Sequence, residues 1–189
     1  MTELESYIHN HFSIPLDDCR KVGGLFKREK IEKGGYLLRA GKPCNKLSFI
    51  EEGIVRVYVN LPDKEVTQWI GTAGYFMTDL YAFMYRNPAR FNIQALSDTQ
   101  LFSIDHESYL AIGKLVPKWH EFEKFFMGKC FVMLENRVFD LISMSAEERY
   151  LKLFDQNKAL FNQVPLQYLA SMLGMTPETF SRIRKKLVS

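Results

Sequence analysis

The sequence predicts a mixed α+β protein in which a region of short β-strands is followed by a long helix and then by several short helices. Between Leu25 and Asp105, turn signals recur about every ten residues, with β-branched and aromatic runs between them. After Pro117, proline and glycine almost disappear and the apolar residues follow a helical period for about 25 residues. The stretch PLQYLASMLGMTPETFSRIRKKL then divides into two short amphipathic patterns at Gly174.

The composition is that of an ordinary globular protein. Of the 189 residues, 47% are hydrophobic and 25% are charged, which is enough to bury one large core or two small ones. The N-terminal stretch MTELESYIHNHF lacks the basic start and apolar run of a signal peptide, and no segment reaches the roughly 18 consecutive apolar residues of a membrane span. We therefore expect a cytoplasmic protein without a membrane contact.

The hairpin KLSFIEEGIVRVYVN is the clearest element of the β region. Val55, Val57 and Val59 alternate with more polar residues, as in a strand with one buried face. The other turn signals are Gly34-Gly35, Gly41-Lys42-Pro43, Pro62-Asp63, Gly71 with Gly74, Asn87-Pro88 and Ser97-Asp98. Many short strands at this spacing indicate a sandwich or a barrel.

Two apolar stripes run along the helix predicted for residues 118–142. One stripe is Met127, Phe131, Leu134, Val138 and Leu141, and the other is Phe122, Phe126, Cys130 and Met133. About 25 residues form a helix of about 37 Å, which is longer than so small a domain covers. We expect one stripe to pack on the β region and the Met127–Leu141 stripe to form a homodimer. The alternative is that both stripes lie in one monomer core.

The cysteines and histidines give no strong metal or disulfide pattern. Cys19, Cys44 and Cys130 lie far apart, without a C-x-x-C pair, and an iron–sulfur sensor would need four cysteines, several of them close together. His9 and His11 are a weak metal signal whose simpler interpretation is a solvated helix end. Haem binding stays an alternative, because the axial ligand of a haem can come from a single His, Cys or Met. Since nothing singles out such a ligand, we expect no cofactor and no metal.

The C-terminal region shows clear helix starts. Ser145, followed by Glu148, forms a capping box at the start of SAEERYLKLFDQN. After the break at Gly174, Thr176 is the predicted N-cap of a second helix. Pro177 takes the first position of that helix, where a missing N–H costs nothing. The region is therefore predicted to hold three helices, the last two joined by a tight turn.

The last two helices match a helix-turn-helix. Small Ala170 lies where the helices approach, and their shared apolar core is Leu169, Leu173, Met175, Phe180 and Ile183. Residues 162–189 contain four basic residues and one acidic residue, an excess of three positive charges that equals the net charge of the whole chain. A basic cluster is usually only a solvated face, but here it lies on the outer side of one short helix.

Together these motifs resemble the Crp–Fnr family of bacterial transcription regulators. The likeness runs from Gly34 to Leu187 and rests on GYLLRAGKPCNKLSFIEEGIVRVYV, GYFMTDL and LASMLGMTPETFSRIRKKL. It implies an α+β fold with an N-terminal β-roll of the jelly-roll, cyclic-nucleotide-binding type over residues 1–112. A linker and dimerisation helix over 113–144 and a winged-helix-type helix-turn-helix domain over 145–189 follow. The implied partners are double-stranded DNA, a second copy of the chain, RNA polymerase and a small-molecule effector.

The recognition helix of this family carries an R-E-T-x-x-R pattern. Here Pro177 replaces the first Arg, while Glu178, Thr179 and Arg182 are kept. Arg182 suits guanine O6 and N7, and Glu178 suits cytosine N4. Phosphate contacts are assigned to Gln167, Thr179, Arg184, Lys185 and Lys186, and the predicted surface also includes Thr176 and Ser181. We expect an altered operator rather than a loss of binding.

The effector pocket departs further from the family, in which G-E-L is followed by R-S or R-T. The corresponding residues here are Thr78, Asp79, Leu80, Ala89, Arg90 and Phe91. Ala89 occupies the position of the phosphate-holding Arg, and a buried phosphate without a cation is costly. In a regular strand, Arg90 would face away from the pocket. We expect a degenerate or altered pocket, and the alternative is a cyclic-AMP-responsive regulator in which Arg90 replaces the missing Arg.

Aromatic residues are frequent around this pocket. They are Tyr75, Phe76, Tyr81, Phe83, Tyr85 and Phe91. Such a cluster more often belongs to the hydrophobic core than to a binding site, although binding of a small apolar or aromatic effector stays an alternative. An enzyme of the cupin type would need a His and Glu cluster on its strands, and the β region contributes only His106 near its end. We therefore expect a regulator and not an enzyme.

Overall fold

The computed structural model describes residues 1–188, in which the elements follow the predicted order. The helices are α1 (Glu3–Phe12), α2 (Leu16–Gly23), α3 (Leu80–Tyr85), α4 (His106–Leu115), α5 (Trp119–Ser143), α6 (Ala146–Gln156), α7 (Leu160–Gln163), α8 (Leu166–Met172) and α9 (Pro177–Val188). The strands are β1 (Lys27–Ile31), β2 (Tyr36–Leu38), β3 (Lys46–Glu52), β4 (Val55–Asn60), β5 (Glu65–Gly71), β6 (Phe76–Met77), β7 (Asn92–Ala95) and β8 (Thr99–Asp105). Among these helices, none is long and apolar enough to cross a membrane.

The strands form a roll of two four-stranded antiparallel sheets. Their orders are β1-β8-β3-β6 and β2-β7-β4-β5, so β5 is an edge strand. Within the second sheet, Val55 of β4 lies opposite Ala95 of β7 and Gly71 of β5. The core of the roll contains Ile50, Val55, Val57, Met77, Ile93 and Leu101. The predicted β-roll is confirmed.

The predicted strand at β4 is correct, but the expectation that only one of its faces is buried is wrong. Besides the valines, Arg56 is 1% exposed and Tyr58 is 4% exposed. The Arg56 guanidinium lies 3.6 Å from the ring centre of Tyr168 in α8, and the Tyr58 hydroxyl lies 3.1 Å from that of Tyr36. The C-terminal helices thus cover part of the face that a sequence pattern assigns to solvent.

Two helices at the N-terminus cover the first sheet, and of these the sequence patterns indicated only a helix end at His9 and His11. Thr2 and Glu5 form a capping box at the start of α1, and His9 and His11 lie in its last turn, as a helix-end interpretation requires. The buried residues that join α1 and α2 to the roll include Leu4, Ile8, Ile14, Cys19 and Val22.

The long helix α5 matches the range predicted for it. Phe122 packs against the core beneath α1 and α4, and the Phe126 ring lies 5.3 Å from that of Phe76, so the first half of this stripe faces the roll, while Met133 at its end is exposed. The other stripe faces outward, because Phe131 is 63% exposed and Val138 is 55% exposed. The alternative, with both stripes in one monomer core, is therefore wrong.

The C-terminal region consists of α6 to α9. The predicted capping box of Ser145 and Glu148 begins α6. Within residues 145–188 the structure contains helices and turns only, without a strand that would form a wing. The apolar core formed by these helices also includes Ile54 and Ile70 of the roll, so the C-terminal helices pack directly against the roll.

Candidate nucleic-acid interface and effector pocket

Helices α8 and α9 and the turn between them, residues 173–176, form a helix-turn-helix unit. Gly174 has a φ of 67°, and its N–H donates to the Ser171 carbonyl at 3.1 Å while the Met175 N–H donates to the Ala170 carbonyl at 3.0 Å. This pair of bonds ends α8 in a left-handed glycine turn. A Cβ at position 174 would lie 3.1 Å from Cδ2 of Leu141, so glycine also provides room for α5. The predicted break at Gly174 is confirmed.

The start of α9 is capped as the sequence predicts. The Thr176 hydroxyl accepts a hydrogen bond from the Thr179 N–H at 3.2 Å, and Pro177 is the first helical residue. Hydrogen bonds from its own backbone N–H and from Thr176 hold the pKa of Glu178 below its usual value. Glu178 is therefore an ionised acceptor at neutral pH.

Aromatic packing fixes the orientation of α9. Phe180 is fully buried, and its ring lies 4.9 Å from that of Tyr150 in α6 and 5.8 Å from that of Phe161 in α7. Leu169, Ala170 and Ile183 complete this core. Because Phe180 and Ile183 face inward, the opposite side of α9 faces solvent.

The predicted DNA-contacting residues lie at the surface of this unit. Exposed residues are Gln167, Thr176, Glu178, Ser181, Arg182, Arg184, Lys185 and Lys186, while Thr179 is half-buried. Glu178, Arg182 and Lys185 follow a spacing of four and three and so share one face. Lys186 differs, because its ammonium lies 2.8 Å from the Glu147 carboxylate of α6.

Two arginines that the sequence did not single out hold the end of α8. The Arg137 guanidinium of α5 donates to the Met172 carbonyl at 2.9 Å, and that of Arg149 of α6 donates to the Leu173 carbonyl at 2.8 Å. The last carbonyls of a helix have no partner within the helix and carry partial negative charge. Burial lowers the pKa of Arg137, but a guanidinium stays protonated in proteins. In sequence, both residues look like ordinary polar positions of helices.

At the predicted effector pocket, the buried carboxylate of Asp79 has several hydrogen-bond donors. It accepts from the Arg90 N–H at 2.7 Å, from Nη2 of Arg90 at 2.9 Å and from the Ala82 N–H at 3.3 Å at the start of α3. Burial raises the pKa of Asp79, but these hydrogen bonds and the Arg90 charge outweigh it and leave the pKa below its usual value. The carboxylate is therefore ionised and already engaged by the protein.

The expectation that Arg90 faces away from this pocket is wrong. Strand β7 begins only at Asn92, and Arg86 has a φ of 59°, so the segment before the strand does not alternate as a strand would. The Arg90 guanidinium also lies 4.7 Å from the ring centre of Tyr81 and 5.0 Å from that of Phe91. The structure thus brings Asp79, Arg90 and Phe91 together.

The remaining predicted pocket residues hold the loop rather than point at the Asp79 carboxylate. The Ala89 N–H donates to the Lys42 carbonyl at 2.9 Å. The Thr78 hydroxyl donates to the Lys46 carbonyl at 3.0 Å, and Leu80 is 43% exposed at the start of α3.

The aromatic cluster around the pocket is divided. Phe76, Phe83 and Phe91 pack against the cores of the roll, whereas Tyr75, Tyr81 and Tyr85 are exposed. The core interpretation therefore fits the phenylalanines but not the tyrosines. Across residues 1–188, no three His, Cys, Asp or Glu residues lie together in an arrangement that could hold a metal ion.

Comparison with known proteins supports the same architecture. Residues 28–114 match the family model of the cyclic nucleotide-binding domain. No curated protein sequence matches the chain significantly.

Several solved structures are similar over almost the whole chain. One is the c-di-GMP-responsive global regulator CLP of Xanthomonas campestris, at 16% identity and a TM-score of 0.72, with 92% of this chain and 91% of that chain covered. Another is a CooA variant from Carboxydothermus hydrogenoformans, at 23% identity and a TM-score of 0.68, with coverage of 98% and 84%. The catabolite activator protein of Thermus thermophilus has 21% identity and a TM-score of 0.60, with coverage of 96% and 86%.

Fold and site define a class of proteins in which a long helix joins a β-roll to a helix-turn-helix unit. The β-roll matches the cyclic nucleotide-binding domain model, and the chain has the fold of the Crp–Fnr transcription regulators, as its motifs predicted.

Proposed function

We propose that the protein is a homodimeric, sequence-specific DNA-binding transcription regulator and not an enzyme. The observation that carries this function is the exposed cationic face of α9, which the buried Phe180 and the Gly174 turn hold outward. A helix presented in this way fits the major groove, while the helix before it crosses the DNA backbone. Three units follow from the sequence boundaries: an effector domain over 1–112, a linker and dimerisation helix over 113–144, and a DNA-binding domain over 145–189.

The dimer is proposed from the outward face of α5. Phe131, Leu134 and Val138 are each about half exposed or more, and exposed apolar side chains on one helix favour a second helix. A two-fold axis along this helix pair would present two copies of α9 to two half-sites.

The effector pocket is proposed to be altered, so that cyclic AMP is not its ligand. A ribose hydroxyl would need lone pairs of Asp79 that the Arg90 side chain and backbone already occupy. Ala89 supplies no charge for a cyclic phosphate. The effector of CLP, c-di-GMP, shows only that this fold serves other ligands.

A cyclic-AMP-responsive regulator is the second candidate, because a cation does lie at the pocket. The Arg90 side chain is 51% exposed and would have to leave Asp79 to reach a phosphate. Contact with RNA polymerase is part of either proposal.

Selection of duplexes from a random DNA pool tests the function. We expect a two-fold symmetric sequence to be enriched, with the same result whether or not cyclic AMP is present. Enrichment that depends on cyclic AMP would favour the second candidate, and a pool without enrichment in any condition would exclude both.

A further inference from the structure

Arg137 is the residue at which three parts of the protein meet. It belongs to α5, its Nη2 donates to the Met172 carbonyl of α8 at 2.9 Å, and its guanidinium lies 5.2 Å from the ring centre of Trp69 in β5. A charge-assisted hydrogen bond and a cation–π contact are both directional and both weaken steeply when the parts separate.

The Met172 carbonyl is a specific attachment point. Of the last carbonyls of α8, those of Ala170 and Ser171 accept from the glycine turn, which leaves those of Met172 and Leu173 to outside donors. Arg137 donates to the Met172 carbonyl, and Arg149 donates to the Leu173 carbonyl. Because this end of α8 leads directly into the turn, its position determines where α9 points.

Strand β5 holds the other side of α8. The Thr67 N–H, at the free edge of this strand, donates to the Ser171 hydroxyl at 2.9 Å. Helix α8 therefore lies between the edge of the roll and α5. Covalently, α5 joins the DNA-binding region only through a short non-helical link at Met144, and the Lys152–Asp140 ion pair at 2.6 Å is a further contact between α5 and α6.

We propose that Arg137 is a positioning residue that fixes the direction of α9 relative to α5, and thereby sets the half-site spacing that the dimer binds. This inference rests on the proposed function. Two recognition helices must reach successive major grooves about 34–36 Å apart, so a change in their angle changes which spacing fits best.

The test compares Arg137→Gln with Lys114→Gln, which removes one positive charge from an exposed position of α4. Duplexes carry one half-site, or two half-sites at a series of spacings. We expect the wild type and Lys114→Gln to share one sharp spacing optimum. For Arg137→Gln, affinity at that optimum should fall about tenfold and the optimum should broaden, while affinity for a single half-site stays unchanged. Arg137→Lys, which keeps a cation and a donor, should restore the optimum in part.

Other outcomes would overturn this assignment. An unchanged spacing optimum in a folded, dimeric Arg137→Gln would show that Arg137 does not set the geometry. Equal losses on single and paired half-sites would indicate a general effect on folding or charge. If Arg137→Gln does not fold, Trp69→Leu decides by the same criteria, because it removes the cation–π contact between Arg137 and the roll and leaves the hydrogen bond to the Met172 carbonyl in place. If the wild type binds no selected duplex, the proposed function is wrong, and the positioning role of Arg137 is excluded with it.

Discussion

Nη2 of Arg90 lies 2.9 Å from the carboxylate of Asp79, so the two charged groups of the predicted effector pocket neutralise each other. Asp79 also caps α3, and its carboxylate is fully buried while the Arg90 side chain remains half exposed. The pair therefore connects the loop before β7 to the helix in front of it. It follows that this pocket should contribute to stability even without a ligand.

Replacing the Asp79 carboxylate should produce a pH-dependent loss of stability. Its pKa is lower in the folded than in the unfolded protein, so its contribution is complete above the usual value of about 4 and disappears as the pH falls through the folded value. Asp79→Asn should lower the free energy of unfolding by about 1–3 kcal/mol at pH 7, and by progressively less toward pH 3. Urea unfolding at several pH values measures this.

Asp17→Asn is the matched control, because it removes a carboxylate from an exposed pair with Arg20. Exposed pairs contribute little, so its effect should stay within about 0.5 kcal/mol. A loss for Asp79→Asn that did not change with pH would contradict the assigned ionisation.

Cyclic AMP should bind weakly, because Ala89 occupies the place of the phosphate-holding Arg. A charge-assisted pair to a buried phosphate contributes several kcal/mol, and every ~1.4 kcal/mol is a factor of ten, so its loss moves a micromolar ligand to the millimolar range. Calorimetric titration measures the affinity. A low-micromolar Kd for the wild type would mean that Arg90 leaves Asp79 for the ligand. Ala89→Arg combined with Asp79→Glu restores the family pattern and should tighten binding.

Features that depend on neighbouring residues were predictable from the sequence. The turn at Gly174, the caps at Ser145 and Thr176, and the length of α5 each follow from residue types within a few positions of one another. The turn spacing of the β region likewise predicts the roll. These are the features that define the fold and place α9 at the surface.

Contacts between distant segments were not predictable in this way. Arg56 looks like the polar side of a strand, yet it is buried against Tyr168, and Thr67 bonds Ser171, which is 104 residues away in sequence. The orientation of Arg90 was not predicted for a different reason, since Arg90 lies before the start of β7 at Asn92, where the alternation of a strand does not apply. In each case the tertiary structure decides which polar group is buried.

The outward stripe of α5 should determine the oligomeric state. Leu134→Glu places a charge in the middle of the exposed apolar face and should weaken dimerisation and DNA binding together, because a charge in an apolar interface is costly. Analytical ultracentrifugation and a binding titration measure the two effects. Leu110→Glu is the control, since Leu110 is an exposed leucine of α4 outside the stripe. A monomeric wild type at micromolar concentration that still bound DNA tightly would exclude the proposed dimer.

Arg182 and Lys185 share the outer face of α9 but should give different phenotypes. Arg182→Ala should cost about 1–3 kcal/mol on the selected operator and relax the preference at one base pair, because a guanidinium reads guanine through two parallel hydrogen bonds. Lys185→Ala should weaken binding to all duplexes nearly equally and lower the salt slope by about one, because an ammonium neutralises one phosphate. Titrations on the operator, on single-base variants and on random duplexes at several salt concentrations separate the two. If Arg182→Ala weakened operator and random duplexes alike, Arg182 would be a phosphate contact, and another residue of α9 would read the bases.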